Sequence, residues 1–260
     1  MHRTPHQQTQ ASRRPRAGAA LIAAAIALAI VMADAVLATS GHARLLTFNN
    51  PSGVIGSVGV TDADLAGNPF FQELGTNGRT CATCHQPAQG WSITPVELRD
   101  RFDRTDGLDP IFRTNDGSNC ESADVSTTKA RRRAFSLLLD KGLIRIALDA
   151  PARAEFEIVD VDDPHECASP LTTVSVYRRP LPSANLKFLS TVMWDGRQST
   201  PGQAIRDALS AQVTDAVTSH AQGARPTPDQ VKKILDLELR VFATQVADQS
   251  AGSPHVRRRT

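Results

Sequence analysis

The chain has 260 residues, with 29 Lys and Arg against 27 Asp and Glu and a net charge of +2. That length suits one or two domains. A charge balance this even offers no basic face, which argues against a nucleic-acid partner.

In chain order, the start reads as a leader. Arg3, Arg13, Arg14 and Arg16 form a basic region, residues 17–33 are uncharged and mostly apolar, and Val36-Leu37-Ala38 supplies a small-x-small-like cleavage site. This is a secretory signal pattern over residues 1–38; the other reading is a retained N-terminal anchor, the only part expected to touch a membrane. The expected location is the periplasm. The leader holds four arginines against Asp34, so the rest of the chain is close to −1.

Residues 39–67, rich in Gly, Ala, Asn and Ser, read as an extended lead-in. Asn68 to Gly75 reads as a short helix, with Asn68 as N-cap, Pro69 at N1 and Gly75 as the stop. Then comes Cys81-Ala82-Thr83-Cys84-His85, the C-x-x-C-H spacing of a c-type haem attachment site. Two thiols three positions apart on one turn can form thioethers to the two vinyl groups of one porphyrin. The next residue, His85, then presents its imidazole to the iron as axial ligand. A zinc ribbon would need a second ligand pair, and the remaining cysteines, Cys120 and Cys167, stand alone. A thioredoxin-like redox pair would need a βαβ context. A disulfide between Cys81 and Cys84 would leave His85 unexplained. One covalently held haem c is therefore the expected cofactor. Trp91 either covers a haem edge or packs in the core.

Residues 100–125 are polar and read as a loop. Ser126 caps a helix over about 127–140 that ends at Gly142. Leu143–Leu148, Glu155–Val161 and Thr172–Arg178 carry β-branched residues and partial alternation and read as a small strand insertion. His165 lies in the turn before the last of these. In an oxidising compartment Cys120 and Cys167 are expected to pair as a disulfide. Thr200-Pro201-Gly202-Gln203 reads as a capping box opening a helix through Ile205, Leu209, Val213 and Val217. Thr227-Pro228-Asp229-Gln230 repeats the device, with Val231, Ile234, Leu235, Phe242 and Val246 following. Residues 250–260 form a basic tail.

Several of these stretches together resemble bacterial di-haem cytochrome c peroxidases and their relatives of the methylamine-utilisation G type. The carrying residues are Cys81-Ala82-Thr83-Cys84-His85, Arg179-Pro180-Leu181-Pro182-Ser183-Ala184-Asn185, Trp194-Asp195-Gly196-Arg197 and Leu209-Ser210-Ala211-Gln212. They cover roughly residues 70–249. The resemblance implies the family's N-terminal haem domain, in which peroxide reacts. It implies His85 as proximal ligand, Trp194 as an electron route between two haems, and Gln212 beside the peroxide.

Two departures stand out. There is no second C-x-x-C-H, so the family's electron-delivering haem is missing and the chain reads as a member that stops after its first domain. The acidic residue expected past the Gln is also missing, since no Glu occurs between residues 198 and 226. His220 stands near that place, as a distal acid/base, a sixth ligand or a surface residue. Met193 reads first as core packing and second as an iron ligand. Arg197 bonds a haem propionate or caps a helix, with Asp195 orienting it.

The expected fold is mainly α: a cytochrome c-like mono-haem domain over residues 68–249 with an insertion at about 100–180. The expected function is electron transfer, with peroxidase-like reduction of hydrogen peroxide if the chain is an enzyme. The other reading is a non-catalytic haem-binding subunit, or a truncated fragment, that works only with a partner haem protein. A redox partner, carrying a second haem or acting as a small electron donor, is expected in either case.

Overall fold

The computed structural model describes residues 45–167 and 171–252. The leader and most of the basic tail lie outside the described residues. Of the described residues, 33% are helical and 16% are in strands, in two antiparallel sheets. The domain is therefore a mixture of helix and sheet, and the mainly α, cytochrome c-like expectation is corrected.

The correction arises at the two ends of the domain. The lead-in is not simply extended: β1 (Leu46–Asn50) and β2 (Gly53–Val58) form an antiparallel hairpin. Gly53 has φ +140°, and a Cβ there would meet the Ala247 carbonyl oxygen at 2.1 Å, so glycine is required where β5 passes. Strand β5 (Phe242–Asp248) then pairs with β2, giving the order β1-β2-β5. The sequence reading had carried the last helix through Phe242 and Val246. The 242–248 segment carries β-branched Thr244 and Val246 at alternate positions, and a paired edge on β2 outweighs the weak helical periodicity there.

Six α-helices occur among the described residues. The first, α1 (Asp62–Gly67), opens on a capping box from Thr61 and Asp64. The expected helix from Asn68 shrinks to one 3₁₀ turn, Pro69–Phe71, with the Asn68 side chain accepting from the Phe70 N–H at 3.0 Å. Part of the expected 100–125 loop is helix α2 (Pro95–Thr105), capped by Thr94 with Pro95 at N1. The expected 127–140 helix is broken at Phe135 into α3 (Thr128–Ala134) and α4 (Ser136–Lys141), with Gly142 at φ +67° as the stop.

Strands β3 (Ile144–Asp149) and β4 (Thr173–Arg178) pair antiparallel, Ile144 opposite Arg178, while residues 155–161 form no strand. Helix α5 (Ile205–Ser219) starts later than its capping box suggests. Only half of the box forms, the Thr200 N–H and hydroxyl both donating to Gln203 Oε1 while the Gln203 N–H donates to the Thr200 carbonyl, and Gly202 at φ +80° turns the chain out of helical geometry. Helix α6 (Pro228–Glu238) opens as expected on the reciprocal Thr227–Gln230 box.

Two buried clusters result. The first gathers Phe70, Trp91, Leu209, Val213, Ile234, Leu237 and Val241, where α5 and α6 pack against the turn at Phe70. The second gathers Leu98, Phe102, Ile111, Phe112, Phe135 and Leu138, between α2 and α4. Cys81 packs against the first and Cys84 against the second, so the C-x-x-C-H turn sits on their seam. No helix among the described residues is long and apolar enough to cross a membrane.

Candidate functional site

The turn is built locally. Residues Cys81–Thr83 form a 3₁₀ helix. The Thr83 N–H donates to Thr80 Oγ1 at 3.1 Å and the Thr80 N–H donates to Thr83 Oγ1 at 2.9 Å, so both orphan amides at its start are satisfied. The His85 N–H donates to the Cys81 carbonyl at 3.0 Å. From outside, Arg101, buried and paired with Asp109, donates to the Thr83 carbonyl at 2.8 Å and clamps the turn onto α2.

The turn opens on a cavity of about 510 Å³, within the roughly 300–1,000 Å³ range of ligand and cofactor sites. Cys81, Cys84 and His85 all line it. Both thiols are free and half-buried, and the surface they retain faces the cavity. Burial pushes the Cys81 thiol up to about 12 and the Cys84 thiol up to about 11. They are neutral thiols, unlike the low-pKa thiolates of redox or catalytic cysteines. Among the described residues no group of three or more His, Cys, Asp and Glu side chains is placed to hold a metal ion, so the pair does not belong to an all-protein zinc centre.

His85 is poised as a ligand. Its Nδ1–H donates to the Trp91 carbonyl at 3.2 Å, a bond of the kind that orients a ligating imidazole, and the Leu181 carbonyl also meets the ring. Burial lowers its pKa to about 4, so the ring is neutral at pH 7. The acceptor is aimed by strain: Trp91 holds φ +61°, a left-handed conformation for a bulky residue. The same carbonyl accepts from the Ser183 N–H at 3.0 Å. Trp91 itself is fully buried, with its Nε1–H donating to Ser57 Oγ at 2.9 Å and its ring edge-on to Phe70. It does not line the cavity.

Of the other sequence candidates, Met193, Trp194, Gln212 and His220 all line the cavity. Met193 also packs on the first core. Trp194 is 62% exposed, its Nε1–H donating to the Arg179 carbonyl at 3.1 Å. Arg197 is not a lining residue; it pairs with Asp195 at 3.1 Å. Cys120 and Cys167 form a disulfide, Cα–Cα 5.4 Å, away from the cavity lining. His165 lies beside that bridge, its ring edge-on to Tyr177.

His220 ends α5 and is held by a buried network. Its Nδ1–H donates to Asp116 Oδ2 at 2.5 Å. Arg79, 3% exposed, donates to Asp116 Oδ2 at 2.8 Å and stands 2.7 Å from Oδ1, an ion-pair approach off the hydrogen-bond direction. Arg79 also donates to the carbonyls of Pro110, Ile111 and His220. Burial pushes the Asp116 carboxyl up, but the His220 bond and the Arg79 charge outweigh it and hold the carboxyl below its usual value. A carboxylate–imidazole pair of this kind orients a ring nitrogen toward a metal or a reacting atom.

The sequence reading missed three lining groups. Arg178 pairs through Nη2 with Asp195 at 3.2 Å, yet its buried Nη1 has no partner. Arg179 donates from Nε to the Lys141 carbonyl. Glu238, 5% exposed at the end of α6, has one carboxyl oxygen without a partner. Its signal was an acid on the apolar stripe, four residues after Ile234. The loop carrying Arg179 to Asn185 is pinned by Asn185 at φ +64°, whose side chain exchanges two hydrogen bonds with Ala243 of β5.

No protein-family model matches the chain, and no curated protein or solved structure matches it.

The residues present fit a haem. Two neutral thiols and one neutral imidazole open on one mostly apolar cavity of adequate volume. The buried, unpartnered Arg178 Nη1 on the same wall suits an anionic propionate.

Proposed function

We propose that the chain binds one haem c through thioethers at Cys81 and Cys84, with His85 as axial ligand, and serves electron transfer at that haem. Peroxidase-like reduction of hydrogen peroxide is the catalytic form of the same reading. The observation that carries it is His85: a half-buried neutral imidazole, tied at Nδ1 to the Trp91 carbonyl, lining one cavity together with two free thiols. Bound haem would supply a one-electron iron couple.

The chain's own residues then divide the work. Arg178 holds a propionate, and the apolar lining excludes water. His220, oriented by Asp116, stands as the acid/base or as a sixth ligand, with Gln212 elsewhere on the same cavity lining. Peroxide reduction consumes two electrons and two protons per peroxide to give two waters. The chain carries one C-x-x-C-H, so a partner redox protein must deliver the electrons. Trp194, 62% exposed and lining the cavity, supports docking of such a partner there. The same observation favours the second reading, a haem-binding subunit without turnover of its own. Export to the periplasm is part of the proposal, because haem c attachment occurs outside the plasma membrane.

The test is expression with the haem-maturation machinery, followed by intact-mass analysis and oxidised and reduced spectra with and without hydrogen peroxide. Covalent haem that is lost in His85→Ala or in the double Cys81→Ser/Cys84→Ser variant supports the reading. A low-spin haem inert to peroxide removes the peroxidase form and leaves electron transfer. No covalent haem at all removes both.

A further inference from the structure

Glu238 is the one carboxyl on the cavity wall that the haem reading does not use. It lies at the C-terminal end of α6, where the helix dipole disfavours an anion. It is buried, and one oxygen has no hydrogen-bond partner; the Ser183 hydroxyl meets the carboxyl. Burying an acid with an open oxygen is costly, and here that oxygen belongs to a cavity-lining residue.

We propose that Glu238 is the proton-exchanging group of the cavity, taking up one proton when a haem bound there takes up one electron, and releasing it when the electron leaves. This rests on the haem reading above. The step balances. Glu238 carboxylate plus one proton from solvent gives the carboxylic acid, while one electron from an external one-electron donor protein reduces ferric iron to ferrous. No bond other than Glu238 O–H forms or breaks.

The physics is mutual repulsion in an enclosed space. A cavity of about 510 Å³ is about 10 Å across, and one added negative charge at that distance in a medium of effective dielectric about 20 raises the proton affinity of a carboxylate roughly tenfold. Each tenfold change in proton affinity moves a one-electron potential by about 59 mV.

Burial, partly offset by the Ser183 hydrogen bond, pushes the Glu238 carboxyl up to about 8, so it changes charge in an accessible range. The other charged or titratable groups around the cavity are committed elsewhere. Cys81, whose thiol feels Glu238, is consumed as a thioether. Arg79, Asp116 and His220 are bound to one another, Arg178 is paired with Asp195, and Arg179 bonds the Lys141 carbonyl.

The experiment is a spectroelectrochemical titration of the haem-loaded full chain between about pH 5 and about pH 10. In the wild type the potential is expected to fall as pH rises through the region of about 8. In Glu238→Gln that segment is expected to flatten, and Glu238→Met serves if the amide variant loads poorly. A slope that survives in both Glu238 variants overturns the proposal. So does a wild-type potential that is flat across the range. If the wild type carries no haem by mass, the proposal falls with the haem reading, and the mass measurement distinguishes that failure from the others.

Discussion

Replacing Arg79 with Met tests the network behind His220 most directly. Arg79 is 3% exposed and spends its guanidinium on Asp116 and on the carbonyls of Pro110, Ile111 and His220. Removing it leaves Asp116 buried with His220 as its remaining side-chain partner, and strips a donor from each of three carbonyls, those of Pro110, Ile111 and His220. Breaking one side of a buried ion pair typically costs about 3–5 kcal/mol. For a domain of this size that corresponds to a fall of roughly 10 °C in Tm. Urea unfolding of the haem-free protein measures it, with Asp116→Leu and the double variant completing a cycle. The double variant should recover about 2 kcal/mol relative to the sum of the singles, because no buried charge is then left unpaired. A loss below about 1 kcal/mol for Arg79→Met, or strict additivity in the cycle, would refute the reasoning.

Three further outcomes are expected. Unfolding midpoints of the haem-free protein should depend on pH through two opposed groups. Folded His85, lowered to about 4, refuses the proton that the unfolded ring takes below about 6.5, so its contribution to stability is lost as pH falls through that window; folded Glu238, raised to about 8, keeps a proton that the unfolded side chain gives up above about 4.5, so stability falls as pH rises. Glu238→Gln should therefore gain on the wild type by a few kcal/mol between about pH 4.5 and about pH 8, read as a rise in urea midpoint. Reducing the Cys120–Cys167 bridge, which spans 47 residues of sequence, should cost about 4 kcal/mol in the same assay on the chain-entropy account. Asn185→Ala should cost about 2 kcal/mol, because it strains a left-handed residue and removes both bonds to Ala243, while Asn185→Gly should cost less because it keeps the φ.

What the sequence by itself determined is local. The Thr227–Gln230 box, the stop at Gly142, the Asn68–Pro69 start and the pairing propensity of Ile144–Asp149 and Thr173–Arg178 involve residues close in sequence or β-branched runs, and each appears in the structure near its expected place. The Cys81–His85 turn belongs here too, since Thr80 and Thr83 cap it from within. Where a local signal failed, another local term overrode it: Gly202 at φ +80° delays α5, and Phe135 divides α3 from α4.

Only the tertiary structure decided the sheet and the cavity. Strand β5 joins β2 across nearly the whole domain, and that pairing turned an expected helix end and a lead-in into a sheet edge. Periodicity cannot register such a pairing, because its free energy comes from a partner almost two hundred residues away. The same holds for the site. Met193, Gln212 and His220 were legible as candidates by type and position, but their presence on one cavity wall with Cys81, Cys84 and His85 comes from α5 and α6 packing on the turn at Phe70. Glu238 and the open Arg178 nitrogen were invisible as site residues. A buried charge is defined by what fails to surround it, and that is known only once the whole chain has folded around the cavity.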